Sequence, residues 1–405
     1  MDGRRAPSAS PPGAWRALGR ARLALLAGGL LVNVGTFAVY PYLAVLLRDR
    51  LGVGMAQVGI VLGIATLAQF ASAPLTAAFA ERFGLKRTLT LATVGYLLGA
   101  AAYLGGVDRP ALTLLGLLLS CGAGALYSPA YRGYLVQAAD VAERPRLVSA
   151  GNAAGQLGIA VGPVVGALLL HEPARLFTLT TALYAALALG HCLLRPEPPP
   201  DRQPPVEPFR RVLRGVAVLP FTVTVLTHYL YMQFYQYLAT FVDGRLPAAV
   251  LGVVMMGYAL GLALGQPLLA RRIGLAGYPA AMAAGFGCMA VGLVAIADGS
   301  VAGVAVGALA MSGGTAVLFL KNDLEALALS RRSATVTFGQ QRLAVGLGAL
   351  ASGVLGGNLY GLLERADRLS WFWLAVAAQC LLLPPLALLA GRRLSRPRPP
   401  ASRRR

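Results

Sequence analysis

The sequence predicts an all-α membrane protein in which twelve transmembrane helices form two related six-helix bundles. Three observations predict this. The 405 residues are 57% hydrophobic and only 13% charged, where an ordinary soluble domain carries about 25% charged residues, so the charges are too few to cover a water-facing surface. The apolar residues are gathered into twelve runs, each near the roughly 20 residues that cross a bilayer. The chain also repeats itself at an offset of 190 positions.

The runs of the first half are Leu23–Leu47, Met55–Ala80, Thr88–Val107, Ala111–Ala138, Leu147–Leu170 and Leu176–Leu194. The first is longer than the apolar core of a signal peptide, about 7–15 residues, so it is expected to remain as the first span behind a polar tail at 1–20. The first six-helix half is therefore 21–194. A linker at 195–214 follows, with seven prolines and mixed charges. The second half, 215–391, holds the runs Gly215–Phe241, Ala248–Ala270, Tyr278–Ala297, Val301–Leu329, Ser333–Leu363 and Trp371–Ala390, before a basic tail at 392–405.

The net charge of +20 does not indicate nucleic acid, because the basic residues sit in short clusters between long uncharged runs. With the N-terminus placed inside, 26 of the 36 Lys and Arg residues fall on the inner side, seven on the outer, and three, Arg132, Lys321 and Arg342, within spans. The positive-inside rule then places both termini in the cytoplasm. Trp371 and Trp373 open the last helix at the outer interface, where tryptophan favours the headgroup level. The Arg-over-Lys bias and the richness in Ala and Gly suggest GC-rich bacterial coding, hence a bacterial inner membrane. Cys121, Cys192, Cys288 and Cys380 lie in or at the end of apolar runs without metal-ligand spacing, and read as buried free thiols.

The repeat is carried by several pairs. Arg82 and Gly84 match Arg272 and Gly274; Ala123-Gly124 matches Gly313-Gly314; Gly158 and Gly166 match Gly348 and Gly356. Pro74 and Pro267 match at 193. Transporter halves related by a parallel repeat give this pattern.

The loop after the second run reads Ala77-Ala78-Phe79-Ala80-Glu81-Arg82-Phe83-Gly84-Leu85-Lys86-Arg87. Gly84 permits a tight turn there. This segment resembles the loop-2/3 signature of the major facilitator superfamily, G-x-x-x-D-R-x-G-x-R-R, with Ala77 for the first Gly and Glu81 for Asp. The resemblance extends over essentially the whole chain: twelve spans, a central linker and a two-fold repeat. It implies a cytoplasmic latch. Glu81 would sit at the start of span eleven, a helix N-terminus that favours negative charge. One of Arg82, Lys86 or Arg87 would pair with Asp140 at the end of span four. The second half has Arg271 and Ser330 at the acids' places, so the latch is expected on one side only.

Span five carries Gly158, Gly162, Pro163 and Gly166. This resembles the superfamily's exporter signature, G-x-x-x-G-P-x-x-G-G, with Ala167 for the last Gly. Glycines four apart allow close backbone approach and proline bends the helix, which predicts a pliable seam between the halves. The arginine that exporters often carry in span four, four residues before a Gly-x-Gly, is absent: Leu118 precedes Gly122-Ala123-Gly124. That leaves the proton-coupling group open.

Ionisable groups inside a span are costly and mark function or pairing. Arg132, beside Tyr131 in span four, and Asp323, beside Lys321 in span ten, could face each other across the halves and act as a gate. The alternative is that they and Arg342 snorkel to the headgroups. Asp323 is the first candidate for the coupling proton, with Glu325 and His228 behind it. Span seven presents His228, Tyr231 and Tyr235 on one face, and span one presents Asn33 and Tyr40. These residues, with Tyr131, Arg132, Lys321 and Arg342, are the expected lining of a cavity for a bulky amphipathic or aromatic molecule.

The sequence therefore predicts a secondary transporter exporting a small amphipathic or drug-like molecule by alternating access, coupled to protons, acting as a monomer without cofactor or metal. Uptake of a metabolite or sugar is the alternative. A membrane enzyme or sensor is remote, since no catalytic constellation, phosphate loop or soluble domain is seen.

Overall fold

The computed structural model describes residues 20–106, 109–137, 144–194, 214–330 and 334–394. These residues are helical nearly throughout and make twelve antiparallel passes. Span one runs Arg20–Val39, turns through a 3-10 segment Tyr40–Tyr42, and ends as Leu43–Leu51. Span two is Met55–Ala71 and Ala73–Phe83, broken at Ser72 ahead of Pro74. Spans three to six are Leu85–Gly105, Pro110–Gln137, Arg144–Leu168 and Pro173–Cys192. Spans seven to ten are Val218–Val242, Ala248–Leu275, Tyr278–Ala297 and Val301–Leu329. Span eleven is Ala334–Ala351, a π-helical turn Ser352–Gly356 and Gly357–Arg365; span twelve is Leu369–Leu394. Among the described residues, eight helices are by themselves long and apolar enough to cross a membrane.

The turns after spans one, three, five, seven, nine and eleven share one face, called here the first-loop face. The described ends, Arg20 and Leu394, lie on the other, the terminal face. Two hydrophobic cores show how the halves meet. One joins the first-loop end of the first half (Tyr42, Leu47, Met55, Val58) to the second half (Leu230, Phe234, Tyr237, Tyr360). The other (Leu25, Leu89, Tyr96, Tyr127, Leu147) belongs wholly to the terminal end of the first half. The halves are thus cemented at the first-loop face and part toward the terminal face, where spans four and ten make at most marginal contact. Arg48 of the first half pairs with Glu364 of the second at 2.5 Å across the closed mouth.

Two seams join the halves, span two on span eleven and span five on span eight, and glycine makes both. A side chain on Gly59 would strike the Gly353 carbonyl, and one on Gly63 would come within 3.1 Å of Leu350 Cα. On the other seam, a Cβ on Gly252 would lie 2.7 Å from Ala167 Cβ and 3.0 Å from Val164 Cα. The span-five glycines do not form this seam, which corrects the sequence expectation. A Cβ on Gly158 would meet Asn33 Cβ at 2.7 Å and one on Gly162 would meet Phe37 at 2.8 Å. Gly158, Gly162 and Gly166 therefore pack span five onto span one within the first half, and the adjoining face of the helix, with Pro163, Val164 and Ala167, meets span eight. Periodicity places four-spaced glycines on one stripe but does not say which neighbour the stripe meets.

Three further expectations are corrected. Trp373 is fully buried against Phe241 and Phe372, and only Trp371 is exposed. Cys192 is exposed at the end of span six, while Cys121 and Cys380 are buried. Gly84 holds its turn at φ +94°, but its repeat mate Gly274 lies inside span eight, and the second turn falls at Ala276–Gly277.

Candidate functional site

Where the halves part, spans one, two, four, seven, ten and eleven face a wedge. At its apex Tyr40 of span one meets Tyr235 of span seven, ring centroids 5.7 Å apart. An aromatic group continues down span seven. Tyr231 packs on Tyr235 at 5.6 Å and on Tyr258 at 6.1 Å. His228 lies flat on Phe319 of span ten, centroids 4.7 Å apart and planes 2° from parallel. Tyr231 stands edge-on to both rings, at 87° and 88°. His228, Tyr231 and Phe319 are each half-buried, so the group keeps open surface. Gly348 lets span eleven approach span seven here, since a Cβ would meet His228 Cβ at 2.8 Å. His228 Nδ1 lies 3.1 Å from the Thr224 carbonyl; the proton is assigned to Nδ1 on that contact, which leaves Nε2 as an acceptor.

Phe319 was not singled out in the sequence, where one Phe in an apolar helix gives no signal. It sits one helical turn before Asp323, so the two share a face. Asp323 is half-buried and has no ion-pair partner within 4 Å among the described residues. The charge acting on it is Arg342 of span eleven. Arg342 is exposed in the wedge, 5.8 Å from the Phe70 ring of span two, and is acted on by both Asp323 and Arg132. Arg342 is thus within electrostatic reach of both groups that the sequence reading paired directly.

Other candidates lie elsewhere. Lys321 is buried and donates to the Ala276 carbonyl at 2.8 Å, closing the end of span eight. Beside it Asn322 accepts from Tyr278 at 2.9 Å and donates to Thr227 at 3.2 Å, tying spans nine, ten and seven. Glu325 is half-buried, with its charge acting on Tyr278. Tyr131 is buried within the first half, against Tyr127 and the position of Gly29. Asn33 is half-buried and donates to the Gly29 carbonyl at 2.8 Å. Of the latch group, Arg82 and Arg87 are exposed and Lys86 is half-buried. The Glu81 side chain and Asp140 lie outside the described residues.

Two six-helix bundles closed at one face around an aromatic and ionisable centre define a multi-pass helical membrane protein. The sequence profile of the Major Facilitator Superfamily matches residues 25–320, and the chain belongs to that family. The chain is 29% identical over 252 residues to a relative described as multidrug resistance protein MdtH from Yersinia pestis (strain Pestoides F), covering 60% of this chain and 62% of the relative. The match thus spans about three fifths of that relative's length. Among solved structures, the nucleoside transporter NupG superposes with a TM-score of 0.75 at 14% identity, covering 92% of this chain and 99% of that one. A bacterial homologue of the human lysosomal transporter Spinster superposes at 0.72 and 12% identity, covering 97% and 100%. These likenesses show the fold.

Proposed function

We propose that this transporter exports a small amphipathic or drug-like molecule by alternating access, driven by protons, from the cytoplasm of a bacterium across its inner membrane. The observation that carries the reading is the half-exposed aromatic group of His228, Tyr231 and Phe319, set beside Asp323 and Arg342 in a wedge open to one face only. Rings offer stacking and edge contacts to a cargo, and a carboxyl near a cation has a protonation state that cargo and conformation can change.

The bias of basic residues puts the terminal face in the cytoplasm. The wedge then opens to the cytoplasm, the side from which an exporter loads. The relative described as a multidrug resistance protein supports export, and so does the glycine-proline pattern of span five. Asp323 is the proposed coupling site, with Glu325 and His228 as its alternates. Glu81, Arg82, Gly84, Lys86, Arg87 and Asp140 form the proposed latch that holds the cytoplasmic face when the wedge closes. Transport needs one copy of the chain.

Everted membrane vesicles test this. Cargo should accumulate when the vesicles are energised, and a protonophore should abolish it. Accumulation indifferent to protonophores and to imposed pH gradients contradicts proton drive. Accumulation only in right-side-out vesicles points to uptake instead.

A further inference from the structure

The charges that reach one another in the wedge do not balance. Arg132 of span four and Arg342 of span eleven are both exposed, and neither has an ion-pair partner within 4 Å among the described residues. The Arg132 charge acts on Arg342 across the two halves. Gly346, one turn from Arg342, packs span eleven on span two, where a Cβ would lie 3.1 Å from Leu67 Cδ1. Arg342 stands just past that contact, toward the terminal face, over the Phe70 ring. Its charge also reaches His228 of span seven. A guanidinium in reach of both Phe70 and His228 sits inside the wedge, not among the headgroups.

The carboxylate that acts on Arg342 is Asp323. The charge of Glu325 acts on Tyr278 of span nine instead. Two guanidinium charges against one carboxylate leave one positive charge in excess, in a cleft with apolar walls that concentrates its field. Charges within spans are costly when they lack partners, and an anion beside the arginines offsets that cost. A carboxylate fits a guanidinium fork through two parallel hydrogen bonds. Next to Arg342, His228, Tyr231 and Phe319 keep half their ring surface open, ready for stacking and edge contacts.

We propose that the wedge selects aromatic organic anions, whose ring rests on the group of His228, Tyr231 and Phe319 while the carboxylate pairs with Arg342 and Arg132 adds to the attraction. This names the class of cargo, and it rests on the wedge being the cargo site. An anion also moves outward down the membrane potential of a cell that is negative inside, in agreement with export.

Calorimetric binding to the purified transporter in nanodiscs of zwitterionic lipid tests it, with three probes that share a ring system: naphthoate, naphthamide and naphthylmethylammonium. Naphthoate should bind about 10-fold more tightly than the other two, the worth of a hydrogen bond to a charged group. Arg342→Gln should lower naphthoate affinity by about 10-fold and leave naphthamide binding unchanged. Arg342→Lys, which keeps the charge, should keep the preference for the anion, and Arg132→Gln should weaken it less than Arg342→Gln. An amide or ammonium probe bound as tightly as naphthoate by the unaltered protein overturns the proposal. So does the absence of naphthoate binding, or naphthoate binding indifferent to Arg342→Gln. Phe319→Leu separates this proposal from the wider reading. If that variant weakens all three probes and the anion is not preferred, the wedge stands as the cargo site and only the charge selection falls. If it weakens none of them, the cargo site falls and the proposal with it.

Discussion

Lys321, Asp323 and Arg342 look alike in a sequence, as ionisable residues within apolar runs, yet the fold gives them different surroundings. Lys321 closes a helix end, donating to the orphan Ala276 carbonyl, and a cation at a helix C-terminus is favourable. Lys321→Ala should lower stability by about 1–3 kcal/mol, the cost of an unsatisfied buried acceptor, read by thermal unfolding in detergent, with transport by the surviving fraction unchanged. Asp323 has no ion-pair partner within 4 Å among the described residues, which is why it is the proposed coupling group. Asp323→Asn should abolish proton-driven transport and spare cargo exchange; full driven transport in that variant would remove Asp323 from the mechanism. Phe319 should act through its ring. Phe319→Leu is expected to raise KM for aromatic cargo about 2- to 10-fold, from the loss of roughly 0.5–1.5 kcal/mol of ring contact, with Phe319→Tyr close to the unaltered protein. The sequence made the charges conspicuous because apolar runs make any charge conspicuous. It could not rank them, because a helical position does not say whether a carbonyl, a ring or an opposite charge waits across the gap.

Breaks in the helices obey the repeat more closely than the residues that make them. Tyr42 donates to the Pro163 carbonyl at 2.6 Å, and Tyr237 points its hydroxyl at the Ser352 and Gly353 carbonyls, both at 3.4 Å. Gly353 stands 190 positions after Pro163, and Tyr237 stands 195 after Tyr42. Span five carries a proline and span eleven a π turn near these carbonyls; the missing Pro163 N–H leaves the Ile159 carbonyl, four residues back, without its helical partner, so the Tyr42 bond to Pro163 is an added one rather than a replacement. In each half a tyrosine of the first span of that half reaches a carbonyl of the fifth. The same 195 offset relates Tyr40 to Tyr235 and Asn33 to His228, so the rings meeting at the apex are copies of each other. This part of the repeat was hidden because the offset shifts from 190 to 195 at spans one and seven, and because a π turn has no residue signature. Tyr42→Phe and Tyr237→Phe should each cost about 1 kcal/mol in thermal unfolding, by similar amounts. Gly353→Ala drives a methyl into Gly59 of the other half. It should loosen the first-loop face, seen as easier labelling of a cysteine placed at Ala56, and an unchanged labelling rate would count against the seam.

Across the whole molecule, one core that crosses between halves at one end and another confined to one half at the other end describe a body that is shut on one side and open on the opposite one. Composition and run length were enough to read twelve spans in two halves. The state of the wedge was not readable, because it depends on which inter-half contacts are made, and those run through glycine backbones, a shared aromatic core and the Arg48–Glu364 pair. Glu364→Gln should weaken the first-loop closure. The pair is half-buried and reached by solvent, and such a surface ion pair is worth only about 0–1 kcal/mol, so its effect should appear as a small shift in state, not as lost stability.

Pulsed electron spin resonance with two label pairs addresses the rocking of the halves most directly. One pair, at Gln57 and Arg368, spans the first-loop face, and the other, at Arg87 and Leu329, spans the terminal face; all four positions are exposed. On adding cargo or changing pH in nanodiscs, the first distance should lengthen as the second shortens. Two distances that stay fixed, or that grow and shrink together, would contradict alternating access in this protein.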